Sequence, residues 1–555
     1  MAKKKQGFVY GALILMLSNL IVKIVNALFK IPLANSIGDT AMGYFNSAYS
    51  IYATCFLIST AGLPVAISRM IAASRAKGRW KEVDAIYRIS LLIFLAIGLI
   101  GTAGLFFGAD AIANLQGEPG LGICIKTISP IMFFVCLVSS IRGYFQGNQN
   151  MTPTAVSQVI ESLGNLCLGL TAGVFATKNG FAPTTVAAFA LGGVTLGIVA
   201  SSVYMAFAKW VGDRDKEVGL DQSCRSKKEL AKELILIAIP VTVSSSIMSL
   251  TGLMDSLMAV RRINDALVDV THFAIHDAAP VAVTLYGAYA AKAVTLFNLP
   301  PAIIYPFAIS IIPAISGADA TQDKVALNKT MDFTFRIVTV ICLPCAIGMG
   351  VMAKPIIDLL FSSSEAIFRN AAGVEFFSND VVAPMLTILS ASILFSGLIS
   401  VSGAMLQAAG HAHLSIVSTC FGVVAKAVSI WVLIGIPAIG HYGIPISTLL
   451  CYVIMFCFNT VFLQKRVNYR LSFRRILLKP LVASVACGVT AGCCHLILSR
   501  LIPDSLSTVL SIGLAALVYA VLLFRIGGFD KEDVLQLPKG QTILRILTKI
   551  KLIRA

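Results

Sequence analysis

Runs of about twenty apolar residues, each long enough to cross a hydrocarbon core of about 30 Å, recur along this chain from end to end. About fourteen are predicted as spans: 8–30, 44–68, 86–108, 121–144, 154–176, 182–208, 233–260, 281–312, 334–354, 383–405, 415–436, 442–463, 478–499 and 506–525. The pattern predicts an all-α, polytopic membrane protein. Met1–Lys5 is basic, as in a signal peptide. The apolar run after it is too long for one and ends in no small-residue cleavage site, so it is expected to be a first span.

Composition moves the picture further from a soluble protein. The chain is 57% hydrophobic and 13% charged, with a mean hydropathy of +0.84. Its basic residues fall mostly in loops on the side shared by the termini: Lys3–Lys5, Arg69–Arg88, Arg142, Lys209–Lys232, Lys324–Arg336, Lys465–Lys479 and the tail from Arg525. Both termini are therefore expected to be cytoplasmic. The net charge of +17 reads as topology and contact with anionic lipids, not nucleic-acid binding. The 13 cysteines lie almost entirely in spans, where they serve as small apolar residues. The Cys342–Cys345 CxxC sits in an apolar helix without supporting ligands. No metal, cofactor or redox site is expected. His411 and His413 flank a short turn and are expected to be solvated.

The chain also repeats itself. AISRMIAAS from Ala66 aligns with AISIIPAIS from Ala308 at an offset of 242, which also pairs Tyr44 with Tyr286, Ala48 with Ala290, Leu57 with Leu299 and Pro64 with Pro306. Two further landmarks follow in order: YRI at Tyr87 with FRI at Phe335, and FQGNQNMTP from Phe145 with LQAAGHAHL from Leu406. The unit holds six spans, an even number, so both copies enter the membrane in the same sense. Parallel repeats of this kind place the substrate site at their interface. The expected organisation is an N-terminal six-helix lobe (1–208), a cytoplasmic linker (209–232), a second six-helix lobe (233–463), two extra helices (464–525) and a basic tail (526–555). Matched Pro64 and Pro306 suggest bends suited to hinges.

Against this apolar background the charged positions stand out. Asn19, Lys23, Asn26 and Lys30, spaced four, three and four apart, share one stripe of the first helix. A lysine near the bilayer centre costs about 2.5–3.5 kcal/mol on insertion scales. Such a stripe is expected to line a wet cavity made for an anion. The alternative is snorkelling to the headgroups, which suits Lys30 better than Lys23. Lys292, beside Tyr289 in the eighth span, is a third candidate cation, or else a packing residue paired with Asp255 or Glu161. Asp255 and Glu161 are read as counter-ions or as coupling-ion ligands, with Lys426 a weaker candidate. Arg69 and Arg142 sit at cytoplasmic mouths, where arginine can fork onto phosphate oxygens or simply mark topology. There is no Walker A motif and no cluster of acid, base and nucleophile, so no catalytic residues are assigned.

Three segments carry a family resemblance: FKIPLANSIGDTAMGYFNSAYSIYATCFLISTAGLPVAISRM from Phe29, LYGAYAAKAVTLFNLPPAIIYPFAISIIPAIS from Leu285, and GAMLQAAGH from Gly403. They resemble the stage V sporulation protein B-like polysaccharide-transport proteins of the multidrug/oligosaccharidyl-lipid/polysaccharide flippase superfamily. The resemblance spans nearly the whole chain. It implies two six-helix lobes plus two helices in a bacterial cytoplasmic membrane, acting as a monomer. The implied activity is export of polyprenyl-pyrophosphate-linked sugars, such as a lipid II-like cell-wall or spore-cortex precursor. Lipid II flippases use basic residues in the first, second and eighth spans. Lys23, Lys30, Arg69 and Lys292 occupy comparable spans here, and anion binding is the role carried over, with lysine in place of arginine at several. A cation-coupled multidrug exporter would want carboxylates in that cavity, and a membrane enzyme would want a catalytic cluster at one face. The resemblance leaves the head group and the coupling ion open.

Overall fold

The computed structural model describes residues 8–60, 63–213, 225–271, 275–310, 315, 323–361, 366–369, 375–469 and 473–528. Apart from one antiparallel two-stranded ribbon, Ala366–Arg369 with Glu375–Phe377, the regular structure of these residues is helical. Among the described residues, 12 helices are long and apolar enough to cross a membrane. Two places account for the difference from the expected number.

The first two expected spans form one helical stretch, Phe8–Thr60, within which Leu17–Cys55, 39 residues, counts as a single candidate span. A straight helix of that length would measure about 58 Å, nearly twice a bilayer core. It does not run straight. Gly38 has φ 82° and ψ 169°, a conformation open essentially to glycine alone. The rings of Phe29 and Phe45 lie 6.1 Å apart, where a straight helix would separate these residues by about 24 Å. The chain doubles back at Gly38. The seventh expected span coincides with the helix Lys227–Met254 and the π-helical turn Asp255–Ala259, which is not among the 12. Most side chains of its central stretch, 240–251, lie outside the described residues. Most of the remaining spans keep their expected places within about five residues; 86–108 extends to Trp80–Gln116, 334–354 starts earlier at Leu327, and 281–312 divides into Pro280–Phe297 and the helix Leu299–Ser310.

Packing divides the chain into two compact units, 1–291 and 292–555. In the first, the return arm 39–60 packs against the helix Ile275–Ala288 at backbone contact: a Cβ on Gly287 would sit 2.3 Å from the Gly43 nitrogen. The hydroxyls of Thr40 and Thr284 lie 3.0 Å apart on the same seam. Farther along, Ser50 donates to Ser256 at 2.7 Å. These two helices carry Tyr44 and Tyr286, a pair aligned by the sequence offset of 242. The bend expected at Pro64 falls at residues 61–62, which lie outside the described residues. The side chain of Pro306 lies outside the described residues.

Leu230, Leu234 and Ala238, four apart on one helical face, are buried against Ala66, Ile67, Met70, Ile71, Val83, Ile86 and Phe94. Just before that helix, Arg225 clasps the buried carboxylate of Glu82, donating from Nε at 3.1 Å and Nη2 at 2.9 Å. Ser74 donates to the same carboxylate at 2.8 Å. Arg225 also donates to Glu233 at 2.6 Å. The Glu82 carboxylate holds the Arg225 guanidinium above its ordinary pKa. Glu82→Ala strips three donors of their acceptor, and about 1–3 kcal/mol of stability should be lost. A thermal melt in detergent, with Lys81→Ala as control, checks this.

In the second unit, Lys324–Val351 carries the two last helices, Phe473–Leu498 and Asp504–Arg525. Phe333 and Ile337 pack with Ala483 and Leu523. Met352 packs with Cys487, Ala491 and Ala515.

Candidate functional site

The outgoing arm of the first helix shows two exposed faces. Leu17, Ile21, Ile24 and Leu28 form one, all exposed and all apolar. Asn19 and Lys23 are exposed and Asn26 and Lys30 half-buried on the other. At 100° per residue the mean directions of the two stripes lie roughly 160° apart. Ser18, Val25, Phe29 and Leu33, all buried, occupy the sector between them. An apolar face suits lipid. A lysine face turned directly away from it suits water or an anion. Arg69 is likewise exposed, on a helix whose Ala66, Ile67, Met70 and Ile71 are buried.

Glu161, in the helix Thr152–Gly164, accepts from Arg142 Nη2 at 3.0 Å, and Arg142 Nε donates to Ser157 at 2.9 Å. Arg142, read from sequence as a residue of the cytoplasmic mouth, is partly buried in this pair.

Asp255 and Lys292 both lie in π-helical turns, Asp255–Ala259 and Tyr289–Ala293. Turns of this kind re-aim side chains and recur at functional sites. No residue pattern announces them in the sequence. Asp255 is half-buried and within electrostatic reach of Tyr286, beside the Ser50–Ser256 hydrogen bond.

Lys292 is fully buried in a polar node of the second unit. It does not face open space in this conformation. Its ammonium donates to Ser378 Oγ at 2.7 Å and Asn379 Oδ1 at 2.8 Å. Asn379 in turn donates to Asp358 at 3.0 Å and to the Phe361 carbonyl at 3.0 Å. Lys354 bonds Asp380 at the surface of this node, and that hydrogen bond raises its pKa. Lys292→Met keeps volume but abandons the Ser378 and Asn379 acceptors. It should cost about 1–3 kcal/mol of stability, read as a lower melting temperature. Lys426 is also buried, on the helix Ala412–Ile434. Ser418, Asn459 and Ser402 form a buried hydrogen-bonded chain in the same unit, with links of 2.6 and 3.0 Å. Among the described residues no group of three or more His, Cys, Asp or Glu is placed to hold a metal ion.

Many apolar helices, a glycine-broken hairpin and a lysine face opposed to an apolar face mark a multi-pass helical membrane protein. Two solved structures share its fold at a TM-score of 0.64. One is an inward-facing multidrug resistance MATE family transporter of the MOP superfamily, 16% identical, covering 82% of this chain and 99% of its own. The other is the lipid II flippase MurJ in an inward closed conformation, 14% identical, covering 92% and 98%. The chain belongs to the polysaccharide biosynthesis protein family, which it matches over residues 8–318. It is similar over almost its full length to two Bacillus subtilis (strain 168) proteins. Stage V sporulation protein B is 24% identical over 98% of this chain and 100% of its own. Lipid II flippase MurJ is 24% identical over 94% and 96%.

Proposed function

We propose that this protein is a flippase that carries polyprenyl-pyrophosphate-linked sugars across the bacterial cytoplasmic membrane by alternating access. A lipid II-like cell-wall or spore-cortex precursor is the cargo class. The observation that carries the reading is the first helix, with its lysine face turned away from its lipid face. A pyrophosphate head cannot shed its water in hydrocarbon without a large desolvation cost. Cations along a wet wall replace that water. Lys23, Asn26, Lys30 and Arg69 are the proposed ligands, and a drug exporter for cations would place carboxylates there instead.

Lys292, enclosed as it is, supports the second unit in this conformation and joins the ligands only if alternating access uncovers it. Asp255 is a counter-ion or coupling ligand. In this reading the chain is a monomer with both termini cytoplasmic. Two six-span lobes are joined through 209–232, and the basic loops lie on anionic lipids. The MurJ and stage V sporulation protein B likeness supports the cargo class.

The test is equilibrium binding of the purified protein to a lipid-linked pyrophosphate disaccharide and, in parallel, to a lipophilic cation. Selective glycolipid binding is expected. Preference for the cation would reverse the reading in favour of a drug exporter.

A further inference from the structure

The Arg142–Glu161 pair has a property that a plain structural ion pair lacks. Its cation is anchored independently of its anion. Ser157, fully buried, accepts from Arg142 Nε at 2.9 Å and itself donates to the Thr154 carbonyl at 2.8 Å. The guanidinium therefore keeps its position if Glu161 leaves. The Glu161 side chain is 29% exposed and that of Arg142 15%, so the carboxylate is the partner that an incoming solute meets.

The surroundings belong to the same interior as the first helix. Gln158, one turn before Glu161, accepts from Ser18 at 3.3 Å, and Ser18 lies five residues before Lys23 on the lysine-bearing arm. Tyr49 and Tyr52, on the return arm, are within electrostatic reach of Glu161. All of these residues lie in the first compact unit.

An ion pair in an apolar bundle gains little net stability, because desolvation offsets attraction, and apolar replacements are often as stable. Its value lies elsewhere. A carboxylate oxygen, as Glu161 offers to Arg142 Nη2, and a phosphate oxygen are equivalent charged acceptors for a guanidinium N–H. We propose that Arg142 is a further anion ligand of the transport site, and that Glu161 is a resident substitute for phosphate which the pyrophosphate displaces. Resting on the flippase reading, this gives that site a reason to stay closed to ordinary anions. Chloride, a single small charge, engages Arg142 alone, whereas a pyrophosphate that also engages Lys23 and Lys30 can replace the hydrogen-bonded carboxylate. The exchange is non-covalent: one carboxylate leaves the guanidinium and one phosphate takes its place.

The probe is farnesyl pyrophosphate, a polyprenyl pyrophosphate without sugar, titrated against the purified full chain. Glu161→Gln should bind it about tenfold tighter, since no carboxylate has to be displaced. Arg142→Gln should bind about tenfold or more weaker. In the double variant the gain from Glu161→Gln should vanish, because the two residues act through each other. Unchanged or weaker binding by Glu161→Gln, alongside a loss in Lys23→Ala, overturns this inference and leaves the flippase reading standing. Binding that is absent in the wild type, or unaffected by Lys23→Ala, overturns the flippase reading itself. A measurement on the wild type avoids any folding defect: carbodiimide labelling of Glu161, read by peptide mass spectrometry. Labelling should rise severalfold with farnesyl pyrophosphate, and a constant or falling yield overturns the displacement.

Discussion

Lys23→Ala combined with Lys30→Ala is expected to abolish flipping while leaving the fold intact or slightly more stable. The two effects have opposite signs for one reason. In a span, an ammonium costs insertion energy that alanine does not, so its removal favours the folded, inserted chain. A lysine kept for packing would behave the other way, and Lys292, fully buried on Ser378 and Asn379, is the internal comparison. Each charge-assisted hydrogen bond to a phosphate is worth about 1.5–3 kcal/mol, so each single alanine variant should weaken binding of a lipid-linked pyrophosphate by about 10- to 100-fold. The double variant should fall below detection. Lys23→Arg and Lys30→Arg should retain most of the activity, because the requirement is for positive charge and donors. Flipping in proteoliposomes and melting in detergent read the two signs separately. A double variant that flips normally would mean that the stripe serves the helix and not the cargo. A double variant that melts well below the wild type would mean that the lysines are structural.

Much of the architecture is legible in the sequence because hydrophobic length is a strong signal. Span ends are set by where apolar runs stop, and most fall where expected. The reversal at Gly38, φ 82°, falls between the first two expected spans, in the polar Asn35–Gly38 stretch where a turn is legible, although helix continues on both sides of it. In the segment 227–254, Leu230 and Leu234, four apart, find the buried face that their spacing predicts.

Side-chain partnership is the less legible level. Arg142 looks like topological dressing from its place near the end of a span. Its partner, Glu161, is 19 residues away on another helix. That pairing depends on how two helices rotate against each other, which composition does not encode. The same holds for Lys292: its spacing marks a buried cation, but whether Ser378 and Asn379 or open space surrounds it is decided by tertiary packing. The lysine face of the first helix was readable because 3.6-residue periodicity is local, and the exposed Leu17, Ile21, Ile24 and Leu28 opposite it complete the picture.

The seam between the return arm 39–60 and the helix Ile275–Ala288 supplies the second large effect. Thr40→Cys with Thr284→Cys is expected to form a disulfide under mild oxidation, since the native hydroxyls are only 3.0 Å apart and helices in backbone contact bring Cα atoms within disulfide range. If cargo passes by rocking of one repeat against the other, the contact at Gly43, Val283 and Gly287 closes one end of the path and must part once per cycle. A covalent bridge across it should then stop flipping completely, with full recovery on reduction. Each single cysteine variant, carrying the same native cysteines, should remain active. The natural bond across this seam, one hydroxyl pair worth about 1 kcal/mol, is weak enough to break in a transport cycle. Gly287→Val acts in the opposite direction. Its side chain would meet the Gly43 nitrogen and Cα at the positions where a Cβ lies 2.3 and 2.4 Å away, so the seam should be held apart and the cross-linking yield should drop severalfold. Both variants should lose transport, one by being unable to open the seam and the other by being unable to close it. Full activity in a protein shown by peptide mass spectrometry to be completely cross-linked would mean that this seam stays shut throughout the cycle and that the moving contact lies elsewhere.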